Sequence, residues 1–330
     1  MGGSSNIEWT ERTWNPVVGC TKISPGCAHC YAEVMANRLK AMALKDIADG
    51  KEPGRKRHYI DAIDDKGRWT GKLIPVPEAV SDPFGWKKPQ MIFVNSMSDL
   101  FHEDVSFEFI DQVFATIYNA QWHTYQVLTK RPERMLEYLQ SDPVPRIAAW
   151  AFSQWTKLSP ERAATGLLQN VDLANDIADQ WPFQQLWLGT SCETQKEFDA
   201  RVPLLEQCPA AVRFVSLEPL LGPIRLPSQC QLDWVIVGGE SGHGARLCRV
   251  NWIWSIIEWC LSSGIPCFVK QIGSNPQFDG SMCRDCADSD GTCPTRGFAC
   301  ELKDKKGGDP EEWPAAFRVR QMPTPRIEAV

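Results

Sequence analysis

Short apolar runs separated by helical patterns set the rhythm of this chain. Residues 91–94, 125–128, 186–188, 213–215, 234–237 and 266–269 are apolar stretches of three or four residues, most followed by small or polar positions, and read as buried strands. Between them, residues 107–119, 131–139, 195–207 and 252–262 space their apolar positions as helices do. Strands alternating with helices predict a parallel sheet covered by helices. A first strand over 13–18 brings the candidates to seven. That number suits a partial or complete β/α barrel better than an open doubly wound sheet.

Three segments depart from the rhythm. Residues 31–49 are rich in Ala, Leu, Met, Glu and Lys and predict a helix. Residues 50–90 are charged and broken by Pro53, Gly54, Gly67, Pro75, Pro77 and Pro83, which reads as a long connection of the kind that covers a site. Residues 141–183 form a helical insertion, with helices expected over 146–155 and 159–181, and are treated as a small subdomain. The chain therefore divides into a barrel over 1–274, insertion included, and a cysteine-rich segment with a polar, proline-bearing tail over 275–330.

At 330 residues, with 43% hydrophobic and 23% charged positions, the composition is that of an ordinary globular protein. A net charge of −6 excludes general polyanion affinity, which comes from neutralising phosphates with Lys and Arg. The short basic runs at Arg55–Arg57 and Lys87–Lys88 are more often solvated faces than binding patches. No apolar stretch is long enough to span a bilayer, and the first residues lack a signal peptide's pattern, so a cytoplasmic protein that avoids membranes is expected. In a reducing compartment, thirteen cysteines read as ligands and buried thiols rather than disulfides.

The ligands gather in two places. Cys20, Cys27 and Cys30 form C-x6-C-x2-C on a loop shaped by Pro16, Gly19, Pro25 and Gly26. Three thiols without a fourth suit an iron–sulfur cluster with one open iron. Structural zinc, with His29 completing a Cys3His set, and inert buried thiols are the competing readings. Cys283, Cys286, Cys293 and Cys300 form C-x2-C-x6-C-x6-C in a polar stretch too poor in apolar residues to make its own core, which points to structural Zn2+ or a second iron–sulfur cluster.

In β/α barrels the chemistry sits just beyond the carboxyl ends of the strands. Here those positions hold Asp99, Lys130, Arg131, Glu193, Glu218, Glu240 and Lys270. Asp99 and Glu193 read equally well as helix caps. Glu218 and Lys270 lie among apolar neighbours, where an unpaired charge is costly, so they are expected to pair and are the candidate catalytic groups. The glycine-rich run Gly238–Gly244 matches neither the dinucleotide fingerprint nor the P-loop.

The stretch from Trp9 through Pro16 to Cys30-Tyr-Ala-Glu33 resembles the opening of a phage- and mobile-element-associated family with a three-cysteine motif, placed in the radical S-adenosylmethionine superfamily. The resemblance continues through Phe93-Val-Asn-Ser-Met-Ser-Asp-Leu-Phe101, Leu128-Thr-Lys-Arg-Pro132, Ser216-Leu-Glu-Pro-Leu220, Val237-Gly-Gly-Glu-Ser241 and Phe268-Val-Lys-Gln271, and ends near Trp313-Pro314. It implies an open barrel of about six parallel strands and a 4Fe–4S cluster on Cys20, Cys27 and Cys30. It also implies S-adenosyl-L-methionine as cofactor, cleaved to a 5′-deoxyadenosyl radical that abstracts hydrogen from a substrate. A flavodoxin- or ferredoxin-like electron donor and a dedicated partner protein follow from the same resemblance, with a nucleotide or nucleic acid as an associated substrate class. The superfamily's usual spacing is C-x3-C-x2-C, and its Gly-Gly-Glu follows the second strand, whereas Gly238-Gly239-Glu240 follows the sixth here. Asn95, Ser96, Ser98 and Asp99 are therefore the positional counterparts for cofactor binding, with Glu193 assigned to the ribose hydroxyls and Glu240 sharing the mouth. The rival reading is a zinc-binding nucleic-acid- or partner-binding protein without catalysis.

Overall fold

Seven strands lie side by side in chain order in the computed structural model, which describes residues 5, 7–158, 170–277 and 302–325. They are β1 (Arg12–Trp14), β2 (Met91–Val94), β3 (Thr124–Thr129), β4 (Leu186–Ser191), β5 (Val212–Leu217), β6 (Trp234–Gly238) and β7 (Cys267–Gln271), and every neighbouring pair is parallel. No pairing joins β1 to β7, so the curled sheet is a half-barrel with two edges. The expectation of about six strands is corrected to seven, because residues 267–271 pair in register with β6 as a full member. The strand expected over 13–18 stops at Trp14, since Pro16 has no N–H to continue the ladder. Val17–Val18 instead pairs antiparallel with Ile74–Pro75, inside the long connection. The four cysteines at 283, 286, 293 and 300, and the first part of the expected helix 159–181, lie outside the described residues.

Seven longer helices accompany the sheet among the described residues: α1 (Tyr31–Ala48), α2 (Phe107–Asn119), α3 (Pro132–Gln140), α4 (Val144–Leu158), α5 (Asn170–Asp179), α6 (Gln195–Leu205) and α7 (Val250–Ser263). Ser106 caps α2 by accepting from Phe109 N, and the buried face of that helix, Ile110, Val113, Phe114 and Ile117, joins Ile92, Val94 and Val127 of the sheet in the main core. The insertion belongs to the same core: Ile147, Ala148, Ala151, Leu173 and Ile177 pack into it, so its described helices extend the helical layer rather than stand apart. Asp111 ties the layer together, accepting from Tyr138 Oη at 2.9 Å and Arg146 Nε at 2.9 Å. Burial pushes its carboxyl up, against the pull of Arg146.

The opposite face of the sheet carries a separate aromatic cluster. Phe93, Trp187, Phe214, Trp234 and Phe268 meet there under Trp9 from the N-terminal segment. The Trp234 ring lies 6.1 Å from Trp9, 6.1 Å from Trp187, 5.6 Å from Phe214 and 6.2 Å from Phe268. Such pairs contribute about 0.5–1.5 kcal/mol each beyond the area they bury. Gly189, opposite Phe214 in the register, makes room for them: a Cβ at 189 would sit 2.6 Å from the Phe214 ring. The interior of the half-barrel is thus plugged at this level, leaving the carboxyl ends of the strands as its polar mouth.

The tail closes the β7 edge. Val269 N donates to Val319 O and Gln321 N to Cys267 O, while Trp313 and Phe317 enter the main core. An edge strand left open would template pairing with other chains.

Candidate functional site

The three-thiol loop enters over the mouth through Gly19. Its φ of +99° and the 2.1 Å that would separate a Cβ from Lys72 O require glycine there. A bridge between Gly19 and Ser98 sets the loop against the end of β2. Pro25–Cys27 forms one turn of 3-10 helix, and Cys30 is the N-cap of α1. Cys27 is buried, while Cys20 and Cys30 are half-buried. Burial, Asp99 and the two other thiols push Cys20 up to about 12, against Arg131; burial, Cys27 and Glu33 push Cys30 up as well. Cys20 and Cys30 therefore lie in low-dielectric surroundings, with Cys27 near enough to act on both. No group of three or more His, Cys, Asp or Glu among the described residues, Cys20, Cys27 and Cys30 included, converges closely enough to hold a metal ion as the side chains stand. The donor chemistry fits a thiophilic centre with an open position: three thiols stand on one tethered loop, and the acids around them are engaged elsewhere.

Four anchors hold that loop. Beneath its centre lies Glu193, which follows β4 and is fully buried. It takes hydrogen bonds from Ser24 Oγ, Lys130 Nζ and Arg201 Nη1, and Gly26 is pressed so close that a Cβ would lie 2.2 Å from Oε1. Burial alone would raise its carboxyl; Lys130, Ser24 and Arg201 hold it below the usual range. On the second side, Arg131 donates to Thr21 Oγ1 at 2.6 Å, to Asp99 at 3.2 Å and to Glu103 at 2.8 Å, and Thr21 also meets His102 at 2.8 Å. On the third, Glu240 accepts from Arg246 N at 2.8 Å and Nε at 2.9 Å and meets His29 Nδ1 at 3.1 Å, while Arg246 Nη1 reaches Pro25 O at 2.8 Å. Burial of Glu240 works the other way, but Arg246 and His29 pull its carboxyl down to about 2. The fourth anchor joins Lys22 to Glu33 of α1 at 2.6 Å.

The other predicted positions fall around the same mouth. Asp99 is buried and accepts from Phe101 N, Thr129 Oγ1, Lys130 N and Arg131, so all of its capacity is taken by the ends of β2 and β3. Ser96 and Ser98 donate to Asn15 Oδ1 and Val17 O, at 3.2 and 2.7 Å. Asn95 differs from them. Its φ is +59°, it is buried, and neither its amide nitrogen nor its amide oxygen has a hydrogen-bond partner among the described residues. Lys270 and Glu218 pair as expected, Nζ lying 2.7 and 2.9 Å from the two carboxylate oxygens, with Gln271 adding a bond at 3.0 Å. Tyr31 Oη closes the near side by donating to Ser96 O at 2.6 Å. Ser24, Arg201 and Arg246 were invisible as site residues in the sequence. Arg201 lies on α6 and Arg246 six residues beyond Glu240, and no local spacing links either to the thiols.

These features define an α/β half-barrel of parallel strands whose polar mouth is spanned by an anchored three-thiol loop. A family model described as a protein of unknown function (DUF5131) matches residues 4–308, and the chain belongs to that family. No curated protein and no solved structure matches the chain.

Proposed function

We propose that this protein is a radical S-adenosylmethionine-type enzyme whose Cys20, Cys27 and Cys30 hold a 4Fe–4S cluster with one iron open. The observation that carries the reading is the placement of three thiols, on a loop secured by Glu193, Arg131, Arg246 and Glu33, over the carboxyl edge of a parallel half-barrel. When bound, the cluster with S-adenosylmethionine supplies one-electron cleavage to a 5′-deoxyadenosyl radical, for hydrogen abstraction from a substrate. The chain's own contribution is positioning and exclusion of water. Glu193 and Glu240 hold the loop, the aromatic plug seals the interior behind the mouth, and the buried Asn95 amide keeps its N–H donors and its carbonyl acceptor unused for a bound polar group. The Glu218–Lys270 pair keeps an ammonium and a carboxylate at the mouth, where Lys270 Nζ holds a proton for a substrate oxygen or nitrogen. Electrons come from a flavodoxin- or ferredoxin-like donor, a dedicated partner protein completes the system, and Cys283, Cys286, Cys293 and Cys300 hold zinc or a second cluster.

Anaerobic purification with iron, sulfide and zinc analysis, followed by reduction and assay for 5′-deoxyadenosine, tests the reading. Iron at the first site, lost in Cys20→Ala, Cys27→Ala and Cys30→Ala, together with 5′-deoxyadenosine formation, is the expected result. Zinc at both sites with no iron would replace it with a non-catalytic zinc protein that binds nucleic acid or a partner.

A further inference from the structure

A pocket of about 410 Å3 opens on the outer side of the thiol loop, lined by Cys20, Thr21, Lys22, Glu33 and the segment Arg68–Gly71. Its size is within the range of small-ligand sites. It is built by a hairpin in the long connection. Ile63 bridges Trp69, Asp64 N donates to Arg68 O at 2.8 Å, and the turn closes at Gly67 with φ +75°. One carboxylate fixes both walls: Glu33 Oε1 accepts from Trp69 N at 3.0 Å, and Oε2 accepts from Lys22 Nζ at 2.6 Å. Trp69 is one of the lining residues and packs partly against the small core under α1, formed by Ala32, Ala36 and Tyr59, which holds it in place. Lys22 is neutralised by Glu33. Arg68 is exposed and its charge reaches Asp64, yet its guanidinium makes no hydrogen bond or ion pair among the described residues.

An aromatic residue held at the pocket wall next to an uncommitted guanidinium suits a planar base carrying a phosphate. Base–aromatic stacking is tolerant of base identity, and guanidinium recognises phosphate through paired N–H groups. We infer that this pocket binds a mononucleotide, with the base on Trp69 and the phosphate at Arg68. A free nucleotide is favoured over a strand of nucleic acid because the pocket is small and the chain, at −6, has no general affinity for polyanions. As a binding site the pocket stands on its own walls; as a substrate site, adjacent to Cys20, it rests on the radical-enzyme reading above.

Calorimetric titration of the full chain with each of the four ribonucleoside 5′-monophosphates tests the inference, with inorganic phosphate, free nucleosides and a short single-stranded oligonucleotide as further arms. At least one monophosphate should bind about tenfold or more tighter than its nucleoside or phosphate alone. Arg68→Ala and Trp69→Ala should each weaken it about tenfold, and Trp69→Phe, which keeps a stacking face, only about threefold. Arg68→Ala changes an exposed side chain, so its result does not depend on whether Trp69→Ala folds. Absence of mononucleotide binding, or unchanged affinity in Arg68→Ala, overturns the inference; tighter binding of the oligonucleotide replaces it with a nucleic-acid site. The titration is run before and after iron reconstitution. Binding without 5′-deoxyadenosine formation would then retire the radical reading while leaving the pocket, and the converse would retire the pocket alone.

Discussion

Glu193 shows how a single carboxylate can organise a site without facing it. Wholly enclosed, it is the counter-charge of both Lys130 and Arg201 and the seat of Ser24 and Gly26. Glu193→Gln leaves the buried Arg201 and the half-buried Lys130 without their acid and is expected to cost about 2–4 kcal/mol in urea unfolding and to lower iron loading of the loop. A change below about 0.5 kcal/mol would show that the carboxylate carries no such burden. Glu240 yields a pH prediction. Its carboxyl lies at about 2 against an ordinary 4.5, so the stability it contributes is fully present above about pH 4.5 and is lost as pH falls toward 2. With Arg246 partly exposed, the contribution is on the order of 1–2 kcal/mol. Thermal melts stepped down through that window should show a shallower acid decline for Glu240→Gln than for the natural chain, and parallel declines would refute the assignment. At this scale the sequence reading placed Asp99, Glu193 and Glu240 at the right height, beyond strand ends, but could not tell which way they turn. Direction depends on partners such as Arg201 and Arg246 that arrive from other elements.

At the scale of elements, the thiol loop takes its shape from the protein. Its contacts run to the turn after β3 through Arg131, to the end of β4 through Glu193, to Arg246 beyond β6 and to α1 through Glu33. Each of Cys20→Ala, Cys27→Ala and Cys30→Ala is therefore expected to keep the fold, within about 2 kcal/mol by circular-dichroism melts, while losing metal at that site. Loss of the cooperative melt in all three variants would mean that the thiols themselves hold the loop. The helices α1, α2 and α6 begin where the sequence patterns place them, because an apolar stripe and a start signal such as Ser106 are local properties. The hairpin that carries Trp69 was not legible: charged and broken by glycine, residues 62–70 read as irregular, and their pairing is stabilised by Glu33 from a distant helix.

On the scale of the molecule, the sheet is finished by the segment that follows the second group of cysteines. Trp313 is buried in the main core, and Val319 and Gln321 bond to β7. Trp313→Ala is expected to cost about 3–5 kcal/mol by denaturant unfolding. Removing residues 302–330 should expose the β7 edge and give self-association in sedimentation velocity; a monomeric, fully stable truncation would show that the tail is dispensable. The alternation of apolar runs and amphipathic stretches was enough to determine a parallel α/β sheet, because periodicity and burial are written in neighbouring residues, but it separated a chain-order barrel from a doubly wound sheet only poorly. Two further matters were decided by the tertiary structure alone. The last edge of the half-barrel is capped by a tail from beyond the cysteine-rich segment, and the thiol loop is held by arginines and acids from four separate elements. Both depend on contacts between residues far apart in the chain, where no local pattern records which partner will be met.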